Sequence, residues 1–412
     1  MRELLRDGTY LRYWLAVVVS FLGDGIVRVT VIYIMAGLSD SPALLIALAV
    51  VAQLLPAGAL GAFVGPLVDR ISPRVLLVGA DLARIVIVLL MIICVHSAGG
   101  LLALILLEGI GRAVFETARM AAIPKVVGGH NIGAAIALFQ STVQTVNLIG
   151  PLIGGALIAV AGTRIIFVLD AVTFAVSAVL LGSLAVLRGA TTTAGGPGAY
   201  LSSLRTGAGE VLRIPSLRLV AWAMVPVMLA MGVFTTNINV QLLDDFRLPP
   251  FDYGLGQGMV GGGAIVGALL GPTLIRRYSL NALLAAAVAL FAVALLVLWP
   301  IDATWPAGGT VAVVMWCALA GLATSLVQVP VANILLRDLP EDLRGRGIAL
   351  LNAVMVNFTV LGVILGGVLA DTAGSTLSLV LAGAVLVPPA IVLAATDREV
   401  AGPLLSGVNP RS

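Results

Sequence analysis

This chain has little of what a water-facing surface is made from. Only 10% of its 412 residues are charged, against 60% hydrophobic, and the mean hydropathy is +1.12. A soluble domain carries about 25% charged residues, so most of this surface must meet lipid. Cysteine is almost missing. Cys94 and Cys317 both lie in apolar runs, and no disulfide framework is implied. Histidine is equally scarce. His96 and His130 stand far apart, and no His/Cys/carboxylate group has metal-ligand spacing, so neither a metal nor another cofactor is expected. The phosphate-cradling pattern G-x-x-x-x-G-K-[ST] is missing, which excludes a pump that burns ATP by itself. No nucleophile or His/carboxylate constellation suggests a membrane-embedded enzyme. The net charge of +3 does not indicate nucleic acid, because membrane topology accounts for the basic residues.

What is present is a series of long apolar runs. In hydrocarbon the backbone must satisfy itself as helices or as a closed barrel. Barrel strands alternate over roughly 10 residues, whereas these runs are long enough for helices to cross about 30 Å of hydrocarbon. They fall at 12–36, 43–64, 75–96, 100–118, 132–160, 165–187, 217–241, 254–275, 280–299, 308–329, 347–370 and 375–395. The first follows a basic start but runs on past Asp24 with no small-x-small cleavage site, so it reads as a retained span rather than a signal peptide. With the N-terminus inside, only Arg164 and Arg247 of the 23 Lys and Arg lie outside, while Arg28, Arg84 and Arg112 fall within spans. All others are on the cytoplasmic side, as the positive-inside rule requires. The expectation is an all-α, multi-pass membrane protein of twelve transmembrane helices with both termini cytoplasmic, in a bacterial-type plasma (inner) membrane.

Two repeats divide it. GPLVDRISPR at 65–74 has a faded echo, GPTLIRRYSL at 271–280, and NLIGPLIGGAL at 147–157 is echoed by FTVLGVILGGVL at 358–369. Residues 188–215 are rich in Gly, Thr and Ser and read as a cytoplasmic linker with a short amphipathic helix near 200–213. The expected organisation is a six-helix bundle over 1–187, the linker over 188–215, a second, pseudo-symmetric six-helix bundle over 216–396, and a poorly ordered tail over 397–412. Repeats of this kind belong to transporters that rock around a site near the bilayer midplane.

On these motifs the chain resembles a major facilitator superfamily transporter along essentially its whole length. Gly65, Leu67, Asp69, Arg70 and Arg74 match that superfamily's loop motif G-x-L-a-D-R-x-G-R-[RK]. Ser72 and Pro73 depart from it. The resemblance implies that Asp69 caps a neighbouring helix end and pairs with basic residues as a latch on the outward-facing state. Gly150, Pro151, Gly154 and Gly155 resemble the fifth-helix motif of exporters, with Val146 where that motif has a further glycine. LPEDLRGRGIALLNAV at 339–354, FLGDGIVRV at 21–29 and ARMAAIPKVV at 118–127 resemble the drug, macrolide and siderophore (enterobactin-type) exporter subgroup.

Charges inside spans cost about 2.5–3.5 kcal/mol each on insertion scales, so each needs a partner or a task. Asp24 with Arg28, and Glu108 with Arg112, are spaced i,i+4 and are the candidate proton-coupling pairs; static ion pairs, or contact with a cationic substrate, are the alternatives. A carboxylate whose proton affinity depends on a nearby arginine exchanges protons as the protein rocks. Asp81 and Arg84 share a face near the 65–74 motif and suggest a gate or latch. Asp170 suggests a helix-pairing hydrogen bond. Gln140, Gln144, Asn147, Thr235, Asn239, Gln328 and Asn357 are candidate cavity residues, although such residues also tie helices together. The expected function is export of amphipathic small molecules by alternating access, driven by the proton gradient. The expected partners are a small-molecule substrate, protons and the bilayer, not nucleic acid, and a monomer is expected. The alternatives are import or facilitation of a metabolite and, less favoured, a non-transporting sensor or a membrane-embedded enzyme.

Overall fold

The computed structural model describes residues 4–39, 41–128, 131–188, 214–305, 307–339 and 344–405. Within these, the side chains of 5, 57–70, 215, 216, 336, 344–350, 352, 353 and 397–405 lie outside the description. Every described element is helical: α1 Gly8–Ala36, α2 Pro42–Arg70, α3 Pro73–Ile93, α4 Ala98–Val127, α5 Ile132–Ala161, α6 Thr163–Gly182, α7 Pro215–Val240, α8 Pro250–Arg277, α9 Leu280–Leu296, α10 Leu298–Ala303, α11 Gly309–Asp338, α12 Arg344–Ala373, α13 Ser375–Val385 and α14 Val387–Leu405. Among the described residues eleven helices are long and apolar enough to cross a membrane, and α2 counts as apolar from Pro42 to Pro56. The span expected at 280–299 breaks near its end, at Val297, and the one at 375–395 breaks near its middle, at Leu386. Pro300 follows the break between α9 and α10, and Pro388 and Pro389 follow the one between α13 and α14. Proline has no N–H to bond to the preceding turn and crowds its carbonyl.

The Gly-Pro segments are not loops over their full length. Residues 65–70 are the last turns of α2, and Pro73 and Arg74 begin α3, so only Ile71 and Ser72 connect them. The echo repeats this: 271–277 finish α8, Tyr278 and Ser279 connect, and Leu280 starts α9. Membrane helices tolerate internal Gly and Pro, and both segments stay helical up to the connecting pair. Ser72 then accepts from the Val75 N–H at 3.4 Å, and Ser279 from Ala282 at 3.1 Å. These are N-caps, which satisfy one donor at the open end of each helix. Pro73 at the first helical position is pre-set for the turn. The two departures from the superfamily motif therefore start α3. Gly65, Asp69 and Arg70 have side chains outside the described residues, as does the linker helix expected near 200–213. The tail expected to be poorly ordered continues as α14 to Leu405.

The chain divides into two compact units, Met1–Ser203 with Asn239–Gly258, and Leu204–Ile238 with Met259–Ser412. In the first unit α1 packs on α5 and α6, α2 on α4, and α3 on α4 and α6. Glycines set the closest approaches. A Cβ on Gly150 of α5 would lie 3.0 Å from Gly25 Cα of α1, and one on Gly154 would lie 3.1 Å from the Ile26 carbonyl. Gly155 packs as closely on Gly254, where an added Cβ would lie 2.8 Å from its Cα. In the second unit α9 packs on α11, α13 and α14. Gly362 of α12 meets Leu229 of α7, and a Cβ on Gly366 would lie 2.9 Å from Val233 Cα. Gly150 and Gly362 hold equivalent places in the two G-x-x-x-G-G repeats. The repeat thus encodes the same crossing, the first helix of each half against the fifth, and small residues are what let two backbones approach this closely.

Candidate transport site

The site is built around Arg84, near the middle of α3. Its side chain is fully buried, and its guanidinium lies 4.0 Å over the Phe174 ring of α6. It donates from Nε to Glu108 Oε1 of α4 at 3.0 Å, from Nη2 to the same oxygen at 2.6 Å, and from Nη2 to Asp24 Oδ1 of α1. One cation therefore joins two carboxylates from two other helices. Charge-assisted bonds of this kind are the strong ones. Packing makes room for them: a Cβ on Gly111 of α4 would lie 2.8 Å from Arg84 Cγ, so only glycine lets the side chain pass. Asp24 Oδ2 and Arg84 Nη1 have no hydrogen-bond partner.

These pairings differ from the expected ones. Asp24 was matched with Arg28, and Glu108 with Arg112, on i,i+4 spacing. Among the described residues, neither arginine is within ion-pair distance of a carboxylate, and both carboxylates bind Arg84 instead. An intrahelical spacing permits a pair but does not compel one. Arg84 can reach both acids from the opposite side while stacking on Phe174. Arg84 was also matched with Asp81 as a gate. Asp81 is buried and faces Ser177 of α6, and it makes no ion pair with Arg84.

Asp24, Glu108, Arg28, Arg112 and Asp170 line one cavity in the first unit, with Val27, Val31, Gln53, Met91 and Ile105. Asp170, read from sequence as a helix-pairing group, accepts from Thr173 at 3.2 Å and fills the space that Gly23 leaves on α1. Sequence reasoning missed Gln53 and Phe174 outright and gave Arg84 and Asp170 other partners. The usable signal was that Asp24, Arg84, Glu108 and Asp170 all fall well inside their spans.

A second polar cluster includes Arg119, which pairs with Glu116 and lies over the rings of Phe21 and Phe139 at 5.2 and 5.0 Å. Tyr13 donates to the Arg119 carbonyl at 2.6 Å, and Trp14 donates to Thr142 at 3.0 Å.

None of the seven candidate cavity residues lines the cavity around Asp24. Asn147 donates to Gln144 at 3.5 Å. Thr235 bonds back to the Met231 carbonyl at 2.7 Å. Asn239 is buried and accepts from Tyr253 at 2.8 Å and Gln257 at 2.7 Å. Gln140, Gln328 and Asn357 are exposed. Polar residues next to these do tie helices: Asn237 donates to the Gly366 carbonyl at 3.1 Å and to Ser378 at 3.2 Å, and Thr236 donates to the Val363 carbonyl at 3.2 Å. The second unit has its own cavity, lined only by apolar side chains that include Met224, Met228, Met355 and Phe358. No group of three or more His, Cys, Asp and Glu suited to a metal occurs among the described residues.

A family model described as Major Facilitator Superfamily matches residues 13–359 and 223–406. The uncharacterized MFS-type transporter YfiS of Bacillus subtilis (strain 168) is 24% identical over 381 residues, spanning 90% of this chain and 88% of that protein. Among solved structures, the nucleoside transporter NupG has a TM-score of 0.73 at 12% identity over 94% of this chain and 98% of its own. A bacterial homologue of the iron transporter ferroportin in an inward-facing state has a TM-score of 0.71 at 14% identity over 92% and 98%. A POT family transporter in complex with a thioalcohol-conjugated peptide has a TM-score of 0.69 at 13% identity over 95% and 96%. At these identities the structures share a fold with this chain and nothing finer.

Proposed function

Because this chain belongs to the major facilitator superfamily, it is a multi-pass membrane transporter and not an enzyme, and we propose that it exports amphipathic small molecules by exchange for protons. The observation that carries the coupling is Arg84 held by Asp24 and Glu108 at the wall of a cavity. A proton arriving on either carboxylate removes one of the two negative charges paired with Arg84 and changes how α1, α3 and α4 are tied together. A buried charge network with two arrangements is how a local protonation is converted into a movement of helices. The apolar, methionine-rich cavity of the second unit suits varied apolar bodies, since methionine adapts its shape to what it contacts. The outward direction rests on the resemblance of Gly150, Pro151, Gly154 and Gly155 to the exporter motif, and of the segments around 21–29, 118–127 and 339–354 to the drug and siderophore exporters. The distribution of basic residues supports cytoplasmic termini in a bacterial-type plasma membrane.

Transport into inverted vesicles under an imposed pH gradient, with a panel of amphipathic compounds, tests this. Accumulation abolished by a protonophore, and lost in D24N and E108Q, is the expected outcome. If both variants keep full gradient-driven transport, the coupling assignment is wrong. Proton-coupled uptake is the second reading. It is favoured by Arg28 and Arg112, because a proton on a neighbouring carboxylate and an anion on an arginine bind together rather than in exchange. Right-side-out vesicles that accumulate the compound with the inward gradient would select it.

A further inference from the structure

Among the described residues, two arginines in the first unit's cavity touch no acid directly. Arg28 of α1 and Arg112 of α4 both line it. The nearest acids, Asp24 and Glu108, are bound to Arg84, and among the described residues neither Arg28 nor Arg112 makes an ion pair or a hydrogen bond. Arg28 faces repulsion from Arg112 as well as attraction from Asp24 and Glu108. An arginine at the centre of a span costs about 2.5–3.5 kcal/mol on insertion scales, and a repelling pair costs more. Such a pair is offset when an anion sits between the two forks.

We propose that Arg28 and Arg112 form a binding site for an anionic group, a carboxylate or a phosphate, on the transported molecule. Each guanidinium presents a planar fork of donors matched to two oxygens of such a group. Gln53 adds a neutral donor on the same wall, and Val27, Val31, Met91 and Ile105 give the remainder of the molecule an apolar surface. The acids do not forbid it. Asp24 and Glu108 are tied to Arg84, Asp170 accepts from Thr173, and the further buried acid Asp81 faces Ser177 outside the cavity lining, which leaves Arg28 and Arg112 as the cations on the wall. The site takes a molecule with one anionic end and a compact apolar body. Calling that molecule the cargo rests on the transporter reading, but the binding chemistry is measurable without transport.

The test is equilibrium dialysis of radiolabelled benzoate against the purified full-length protein, with benzamide, benzylamine and phenyl phosphate as competitors. Benzoate should bind saturably. Phenyl phosphate should compete, with the tighter of the two identifying the preferred headgroup, while neutral benzamide and cationic benzylamine should not. R28Q and R112Q should each weaken benzoate about tenfold or more, as loss of a charge-assisted pair does. R28K and R112K keep the charge and should retain part of the affinity. They also keep the test alive if the glutamine variants fail to fold. Benzamide or benzylamine competing as well as benzoate, or unchanged affinity in R28Q and R112Q, overturns the proposal. Intact benzoate binding in a protein whose vesicle transport ignores the pH gradient would leave this site standing and remove the coupling reading. Gradient-driven transport with no anion selectivity would do the reverse.

Discussion

Replacing Arg84 should destabilise the first unit mainly through the charges it leaves behind. Arg84 is fully buried, and the side chains of Asp24 and Glu108 are only 7% and 15% exposed. Removing one partner of a buried ion pair costs about 3–5 kcal/mol, and here one substitution leaves two carboxylates without their cation. Loss of the stack on Phe174 adds about 0.5–2 kcal/mol. R84M should therefore lose about 3–5 kcal/mol or more in detergent-based unfolding. A triple variant, D24L/E108M/R84M, removes all three charges. Replacing a whole buried ionic group by apolar side chains of similar volume is commonly neutral or stabilising, so the triple variant should return close to the parent. Trp14, the only tryptophan of the first unit, reports local unfolding when the others are changed to phenylalanine. If the triple variant is as unstable as R84M, lost packing and not stranded charge is the cause, and the electrostatic account of the site fails. The same triple variant should fold and yet show no gradient-driven transport.

The helix crossings and caps give further tests. G150A and G362A place a Cβ against backbone and should each cost about 1–3 kcal/mol by overpacking. G79A, which meets nothing within 4 Å on α3, should gain up to about 1 kcal/mol from helix propensity. Equal effects from all three in thermal melting would contradict the close approach. S72A and S279A remove the caps of α3 and α9 and should each cost about 1 kcal/mol; variants that melt with the parent would show these serines to be idle.

Much of the fold was legible because lipid leaves few choices. Composition demanded helices, and run length located them. The repeats could be read as duplication, but not as backbone contact, because a glycine letter does not say which carbonyl it faces. The site was half legible. Asp24, Glu108, Arg28 and Arg112 could be singled out because each is an expensive residue inside an apolar run, and all four line one cavity. Their partners could not be read. The i,i+4 rule describes neighbours along one helix, whereas Arg84 reaches Asp24 and Glu108 from a third helix through the gap left by Gly111. The polar residues of α7 show the opposite difficulty. Asn237 and Asn239 look equally suited to a cavity in the sequence, yet each is consumed by hydrogen bonds to other parts of the protein.

The Gly25–Gly150 crossing bears on proton leakage. Gly25 adjoins Asp24 in sequence, and Gly150 closes against it backbone to backbone. Such a seam has no thickness in which to thread a file of water. On the proposed reading, in which Asp24 takes up protons, a leak past that acid would waste the gradient, and α5 closes directly behind it. The equivalent seam, at Gly362, closes on Leu229, so of the two duplicated crossings only the first adjoins an acid in sequence, and only there would a tight seam also serve as insulation.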